Sequence, residues 1–299
     1  MSWARARAWL AALQERRAKL VGINRRNVTL VYPNNERRHF PIADDKLLAK
    51  EHFARAGVPT AKTLAVCEGL FAVRQTVQAL EAHEQFVVKP ATGSGGNGIV
   101  VVGNRLEAGG WQRAGGRVLT AAQLEKHLAD VVFGAYSKVM DDKAFVEERV
   151  LPHEFFATLW ADGLCDVRVI TLEGEPLMCM VRVPTAESDG KANLHQGGLG
   201  IAVDLATGRT SRAVHRGRSI ERHPETGLPL LGLELPCWAE VLEVARRAAR
   251  SVPLGYLGVD VVCDRARGPL VLEINARPGL EIQNVNGRGL GPEVQRVEA

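Results

Sequence analysis

No apolar stretch in this chain approaches the ~18–20 residues that a membrane-spanning helix requires. The N-terminus also lacks the continuous apolar core of a secretory signal. Aromatic residues make up only 5% of the chain. Few of them lie among the basic residues, which leaves nucleic-acid binding without its usual stacking platforms. The five cysteines, Cys67, Cys165, Cys179, Cys237 and Cys263, form no C-x-x-C and have no histidine at ligand spacing. This spacing argues against a zinc site and a disulfide framework, and the thiols read as reduced and buried in a cytoplasmic protein. No internal repeat or low-complexity tract is visible.

What is present is ordinary in amount and uneven in placement. At 299 residues, with 46% hydrophobic and 24% charged side chains, the chain can bury two or three lobes. Residues 1–50 hold eleven Lys/Arg against four Asp/Glu, whereas the whole chain carries a formal charge of only +4. Residues 2–20 have helical spacing, with Trp3, Leu10, Leu13 and Leu20 on one stripe beside Arg16, Arg17 and Lys19. Such a helix packs on its own core or lies on a membrane surface.

Periodicity then gives a coarse map. Val28–Tyr32 reads as a short strand, and Asp44 caps a helix that Gly57 and Pro59 stop. A second helix spans Val73–Ala82. Strands follow at Phe86–Lys89 and Ile99–Val102, and Gly109, Gly110, Gly115 and Gly116 flank an exposed turn around Trp111–Ala114. Ala121–Val132 is a helix and Ala144–Val150 a buried strand. Further strands lie near Phe155–Trp160, Cys165–Leu172, Pro176–Val183 and Leu199–Asp204, the last after a long polar loop. Pro224–Leu235 is turn-rich, and Trp238–Ser251 is a helix. Strands in runs with interspersed helices argue α+β, with mostly antiparallel sheets.

Two segments carry chemistry. From Tyr256 the chain alternates through Y-L-G-V-D-V-V, breaks at C-D-R-A-R-G, and alternates again through P-L-V-L-E-I-N-A-R-P-G-L, which suits a hairpin. Glu273 and Asn275 share a face, and side chains two apart on a strand lie roughly 6.5 Å apart. If the strands pair antiparallel, Asp260 joins them, and two carboxylates plus an amide oxygen suit Mg²⁺. Alone, such a pattern also describes a half-solvated sheet. The second segment, F-V-V-K-P-A-T-G-S-G-G-N-G-I-V-V-V, places Lys89 at a strand end before a glycine-rich turn and another strand. Glycines let successive N–H groups approach phosphate oxygens. The lysine precedes the glycines and no helix follows, so this is neither a Walker A loop nor a dinucleotide fingerprint. A two-residue turn would close a plain hairpin, so the surplus of glycine points to a flap over a nucleotide.

With Lys89, the Gly93–Gly98 loop, E-E-R-V at 147–150, D-G-K-A-N-L-H-Q-G-G and D…E-x-N-A-R-P-G, the chain resembles the ATP-grasp superfamily. Within it, the resemblance is to the alpha-L-glutamate ligase-related branch, similar to the ribosomal-protein modification glutamate ligases. It covers nearly all of the chain from about Asp44. The resemblance implies two α+β lobes with ATP in the cleft between them. Residues 46–146 would form the N-terminal lobe with the flap and 147–299 the C-terminal lobe with the metal site. Residues 1–45 would be a short basic region. Family members carry a full α/β domain there, so a partner chain or a second copy is expected to complete it.

By the same resemblance, Lys89 and the flap residues Gly93, Ser94, Gly95, Gly96, Asn97 and Gly98 would hold the phosphates. Glu148, Arg149 and Val150 would form the hinge that reads the adenine edge, and Glu154 or Asp166 would bind the ribose. Asp260, Glu273 and Asn275 would hold Mg²⁺, two ions bridged by Glu273, with Mn²⁺ as a substitute. Arg168, Arg182, Lys191, Asn193 and Arg277 would line the phosphate and acceptor-carboxylate region. For Arg168 an ion pair with Asp166 is the alternative. His195 is either a proton acceptor or a structural loop residue. The implied activity is an ATP-dependent, ADP-forming carboxylate–amine ligase working through an acyl phosphate. Its partners would be an amino-acid amine and a carboxylate on a peptide, protein or small molecule. The alternatives are an ATP-grasp small-molecule kinase and a non-catalytic nucleotide-binding partner protein.

Overall fold

The computed structural model describes Arg7 and residues 19–93, 95–137, 141–188 and 190–298. The expected helix over 2–20 therefore lies almost wholly outside the described residues, as does Ser94. Two antiparallel sheets organise the rest. The smaller sheet contains β1 (Thr63–Cys67), β2 (Phe86–Pro90), β3 (Val100–Arg105), β4 (Trp111–Arg113), β5 (Val118–Leu119) and β6 (Ala144–Glu147), in the spatial order β1-β6-β2-β3-β4-β5. The larger contains β7 (Asp166–Leu172), β8 (Glu175–Val183), β9 (Leu199–Val203), β10 (Thr210–His215), β11 (Arg218–Ile220), β12 (Tyr256–Asp264) and β13 (Gly268–Asn275). Its order is β11-β10-β9-β8-β7-β12-β13. The α+β expectation holds, and every named strand pair is antiparallel.

Each sheet has its own apolar core. On the smaller, the Ala121–Val132 helix starts at a capping box, with the Thr120 hydroxyl accepting from the Gln123 N–H and the Gln123 side chain returning to Thr120. Its Leu124, Leu128, Val131 and Val132 recur at helical spacing and are buried against the sheet. On the larger, the Trp238–Arg250 helix buries Val241, Val244, Ala245 and Ala248. The Lys46–Arg55 helix also enters this larger core, through Ala49 and Phe53.

Several local expectations need correction. Val28–Tyr32 is not a strand: residues 23–34 are helical, with a π turn at Asn27–Val31. Neighbouring Leu30 and Val31 are both buried, a pattern that strict strand alternation cannot give. Amide side chains remote in sequence hold the segment. Gln283 exchanges two hydrogen bonds of 2.9 Å with the Val21 backbone. Asn35 bonds the Tyr256 N–H and C=O at 2.9 and 2.8 Å.

Phe155–Trp160 is likewise helical, Glu154–Leu159, with Phe156 and Leu159 buried three apart. Trp111–Arg113 is a strand rather than an exposed turn; Trp111 is 1% exposed and packs edge-on against Phe86. Asp45, not Asp44, caps the helix, accepting from the N–H groups of Leu47 and Leu48. The strand expected over Ala144–Val150 ends at Glu147. Four cysteines are buried as expected, but Cys237 is exposed.

Candidate active site

The flap begins where β2 ends. Gly95, Gly96 and Gly98 all have positive φ, at 67°, 75° and 74°. A Cβ at Gly98 would lie 2.6 Å from the Tyr136 ring, so glycine there is a steric requirement as well as a conformational one. The Gly98 carbonyl meets His127 Nε2 at 2.9 Å, and the Asp142 carboxylate accepts from the Thr92 N–H at 3.1 Å. Both ends of the loop are thus tied to the smaller lobe. The aliphatic stem of Lys191 lies 3.3 Å from where a Gly96 Cβ would sit, so the 184–198 loop reaches the flap.

Three lysines converge below it. Lys89 on β2 pairs with Glu147 on β6, and Lys50 approaches the same carboxylate at 2.8 Å while donating to the Ala61 carbonyl at 2.6 Å. Lys46, one turn before Lys50, donates to the Gly93 carbonyl at 2.5 Å and stands 3.9 Å from Glu273. Burial lowers the affinity of Lys46 and Lys50 for their protons, against the pull of Glu273 and Glu147 respectively. Glu147 is itself buried, which opposes ionisation, but Lys89 and Lys50 outweigh burial and hold it below the usual carboxylate range.

The larger sheet contributes a second charged group. Register sets Asp260 opposite Glu273 on one side and Arg168 on the other, and Asp166 opposite Arg182. Arg168 holds Asp260 with two bonds of 2.7 and 2.6 Å. Arg182 holds Asp166 with two bonds of 2.6 Å and reaches Asp260 with a third of 2.6 Å. These fork-to-carboxylate contacts are the strong, directional kind. Burial resists ionisation of Asp260, but Arg168 and Arg182 prevail and keep its carboxyl below the usual range. Burial, with Asp260 nearby, pushes Asp166 up to about 6 against the two guanidinium groups.

This geometry changes the reading of several residues. Arg168 pairs with Asp260, not Asp166. Arg182 is engaged by two carboxylates rather than presented to a phosphate. Asp166 is buried among them and is not offered to a ribose. Glu154 is exposed at the first position of its helix. Arg277 is exposed and stacks over Phe40 at 4.5 Å from the ring centroid, not in a carboxylate fork. The Asn193 side chain accepts from the His195 N–H at 3.0 Å, shaping its own turn, and His195 is exposed.

The segment expected to serve as the adenine hinge follows β6. Glu148 pairs with Arg267 at 2.8 Å, and Arg267 also donates to the Arg149 carbonyl at 3.2 Å. Asp264 accepts from the Leu151 N–H at 3.0 Å, so the hairpin loop clamps the hinge. Val150 joins Ala61, Val262 and Leu270 in a small separate apolar cluster.

For a divalent cation the fit is partial. Glu273 is half-buried, and the Asn275 side-chain N–H donates to its Oε1 at 3.5 Å, so the amide would have to turn to offer its oxygen to an ion. One carboxylate and one amide oxygen suit an ion that keeps waters and phosphate oxygens. Both Asp260 oxygens are taken by guanidinium groups, so the convergence of three donors is corrected to two. Among the described residues no three His, Cys, Asp or Glu side chains form a metal cluster. Sequence reasoning assigned no role to Lys46 or Lys50, and Glu147 stood only as the first residue of E-E-R-V. The i,i+4 spacing of the two lysines just after an N-cap was the available signal.

A family profile described as sugar-transfer associated ATP-grasp matches residues 25–299. A probable alpha-L-glutamate ligase of Xanthomonas oryzae pv. oryzae is 30% identical over 171 residues, 54% of this chain and 46% of that protein. A ribosomal protein bS6–L-glutamate ligase of Escherichia coli is 24% identical over 269 residues, 89% of this chain and 66% of that protein. The chain therefore spans about half the length of the first relative and under two thirds of the second. Among solved structures, a biotin carboxylase–beta-gamma-ATP complex from Campylobacter jejuni superposes with a TM-score of 0.52 at 16% identity. That match covers 82% of this chain and 42% of the other, and the likeness is one of fold.

Proposed function

The chain belongs to the sugar-transfer associated ATP-grasp family, and on that premise we propose that it is an ATP-dependent ligase joining a carboxylate to an amine. The observation that carries this reading is the position of Lys46. Its ammonium stands between the flap carbonyl of Gly93 and the Glu273 carboxylate, linking the glycine loop to the acidic strand. A triphosphate entering there would meet Lys46, Lys50 and Lys89 from one side and the arginine-backed strand from the other. Val150 and its apolar neighbours would offer the adenine an apolar surface beside the hinge.

The chemistry this reading assigns needs no enzyme nucleophile. An acceptor carboxylate oxygen bonds to the γ-phosphorus as the bond to ADP breaks, giving an acyl phosphate. The amine then bonds to the acyl carbon, phosphate leaves, and the amine gives up a proton. Charge spreads over the transferring oxygens, so fixed cations supply most of the help. Lys46, Lys50 and Lys89 would place and neutralise the phosphates, with Glu147 holding the latter two lysines in register. Mg²⁺ held by Glu273 and Asn275 would supply charge stabilisation and a template for the phosphates. Arg168 and Arg182, locked to Asp166 and Asp260, would give a rigid, charge-compensated wall behind the strand that carries Glu273. An acyl phosphate hydrolyses if water enters, so the flap and the 184–198 loop would close over it.

The relatives named for glutamate ligation make an amino-acid amine the first donor to try, with peptide or protein carboxylates as acceptors. Because the family description mentions sugar transfer, saccharide carboxylates are a further acceptor class to try. Incubation with MgATP, pooled amino acids and these acceptors should release ADP in an amine-dependent way, with a mass gain on the acceptor. ADP at background with every pair would overturn the ligase reading. A stable phosphorylated product without an amide would replace it with a kinase.

A further inference from the structure

Four large apolar side chains stand exposed within one short stretch outside the cleft. Leu20 is 45% exposed, Ile23 and Val28 are each 65%, and Tyr32 is 61%. Ile23, Val28 and Tyr32 are spaced by five and four residues. The Tyr32 N–H reaches back five residues to the Asn27 carbonyl, and across this π turn Val28 and Tyr32 fall on one side, with Ile23 exposed in the turn before. The opposite side of the segment is already occupied. Val21, Leu30 and Val31 lie in the larger core, and Gln283 and Asn35 fix the backbone. The stripe therefore faces outward from a segment that is firmly held.

Its charge environment is one-sided. Residues 1–38 contain nine Lys/Arg and two Glu, and the same stretch contains Trp3, Trp9 and Tyr32. We propose that segment 20–32, together with the basic residues around it, docks on an anionic lipid surface. Such a surface accepts shallow insertion of Ile, Val and Leu, seats Trp and Tyr at the headgroup level, and attracts clustered Lys/Arg. No helix among the described residues is long and apolar enough to cross a bilayer, so the contact lies along the surface. A second copy of the chain would bury the same apolar stripe but would oppose two like-charged segments. Charge complementarity thus selects the lipid. Docking would bring the ligase to acceptors carried at a membrane.

The test is co-sedimentation of the full chain with phosphatidylcholine vesicles and with the same vesicles containing phosphatidylglycerol. The anionic vesicles should carry the protein down, the neutral ones should leave it in solution, and added salt should release it. The triple variant Ile23→Ser, Val28→Ser, Tyr32→Ser should partition roughly tenfold less or weaker still. All three side chains are exposed, so its circular dichroism should match that of the parent. Arg16→Glu with Arg17→Glu should weaken capture through charge alone. Equal binding to both vesicle types, absence of binding to the anionic ones, or an unaffected triple variant would overturn the proposal. A parent dimer that the triple variant converts to monomer, without vesicle capture, would overturn it in favour of self-association.

Discussion

Asp260 has two oxygens, and Arg168 and Arg182 hold both, so this carboxylate anchors packing whatever else it does. Asp260→Asn leaves two buried guanidinium groups short of one negative charge. Removing one partner of a buried ionic pair costs about 3–5 kcal/mol. The variant should therefore lose turnover and also unfold at distinctly lower urea. Asp166→Asn should cost less at neutral pH, because burial already disfavours that charge. The sign of its pH dependence follows from the raised carboxyl. Asp166 contributes its full stability below the ordinary carboxylate value of about 3.9 and loses it as pH rises through about 6. The stability advantage of the parent over Asp166→Asn should thus shrink between about pH 4 and pH 7. Urea titrations across that range check both statements; an advantage that grows with pH would contradict the assignment.

At the level of elements, the flap depends on backbone conformations that other residues resist. Gly98→Ala meets both a φ of 74° and the Tyr136 ring, whereas a Cβ at Gly95 meets open space. The first should cost about 1–3 kcal/mol and abolish nucleotide-induced thermal stabilisation; the second should cost about 1 kcal/mol and retain part of it. Thermal melts with and without MgATP make the comparison. The glycine-rich turn between β2 and β3 and the β12–β13 hairpin were legible because alternation and glycine are local signals. The Ala121–Val132 helix was legible to the residue because Thr120, Gln123 and the apolar spacing agree. Residues 28–32 were not, because V-T-L-V-Y carries strand propensity, and the Gln283 and Asn35 clamps that decide its form act across more than 200 residues. Trp111 was misplaced for a related reason: its flanking glycines signal a turn, but the smaller core needed a large ring. Lysines on a helix are ordinarily solvated, so Lys46 and Lys50 acquire meaning only once Gly93 and Glu147 are brought beside them.

Over the whole molecule, the N-terminal segment and the cleft are joined through the larger core. Leu30 is 1% exposed and packs there with Val31, while the Lys46–Arg55 helix enters the same core through Phe53. Leu30→Ala should cost about 2–5 kcal/mol, measured by urea unfolding. A change below about 1 kcal/mol would mean that the segment is an ornament rather than part of that core. The indoles divide in a useful way. Trp111 sits in the smaller core, donating to the His83 carbonyl at 3.2 Å, while Trp160 and Trp238 pack on the larger. A chain retaining only Trp111 would therefore fluoresce as a reporter of one half alone, and one retaining only Trp160 and Trp238 would report the other. Whether the two halves melt in concert or in sequence thus becomes a question two emission traces can answer.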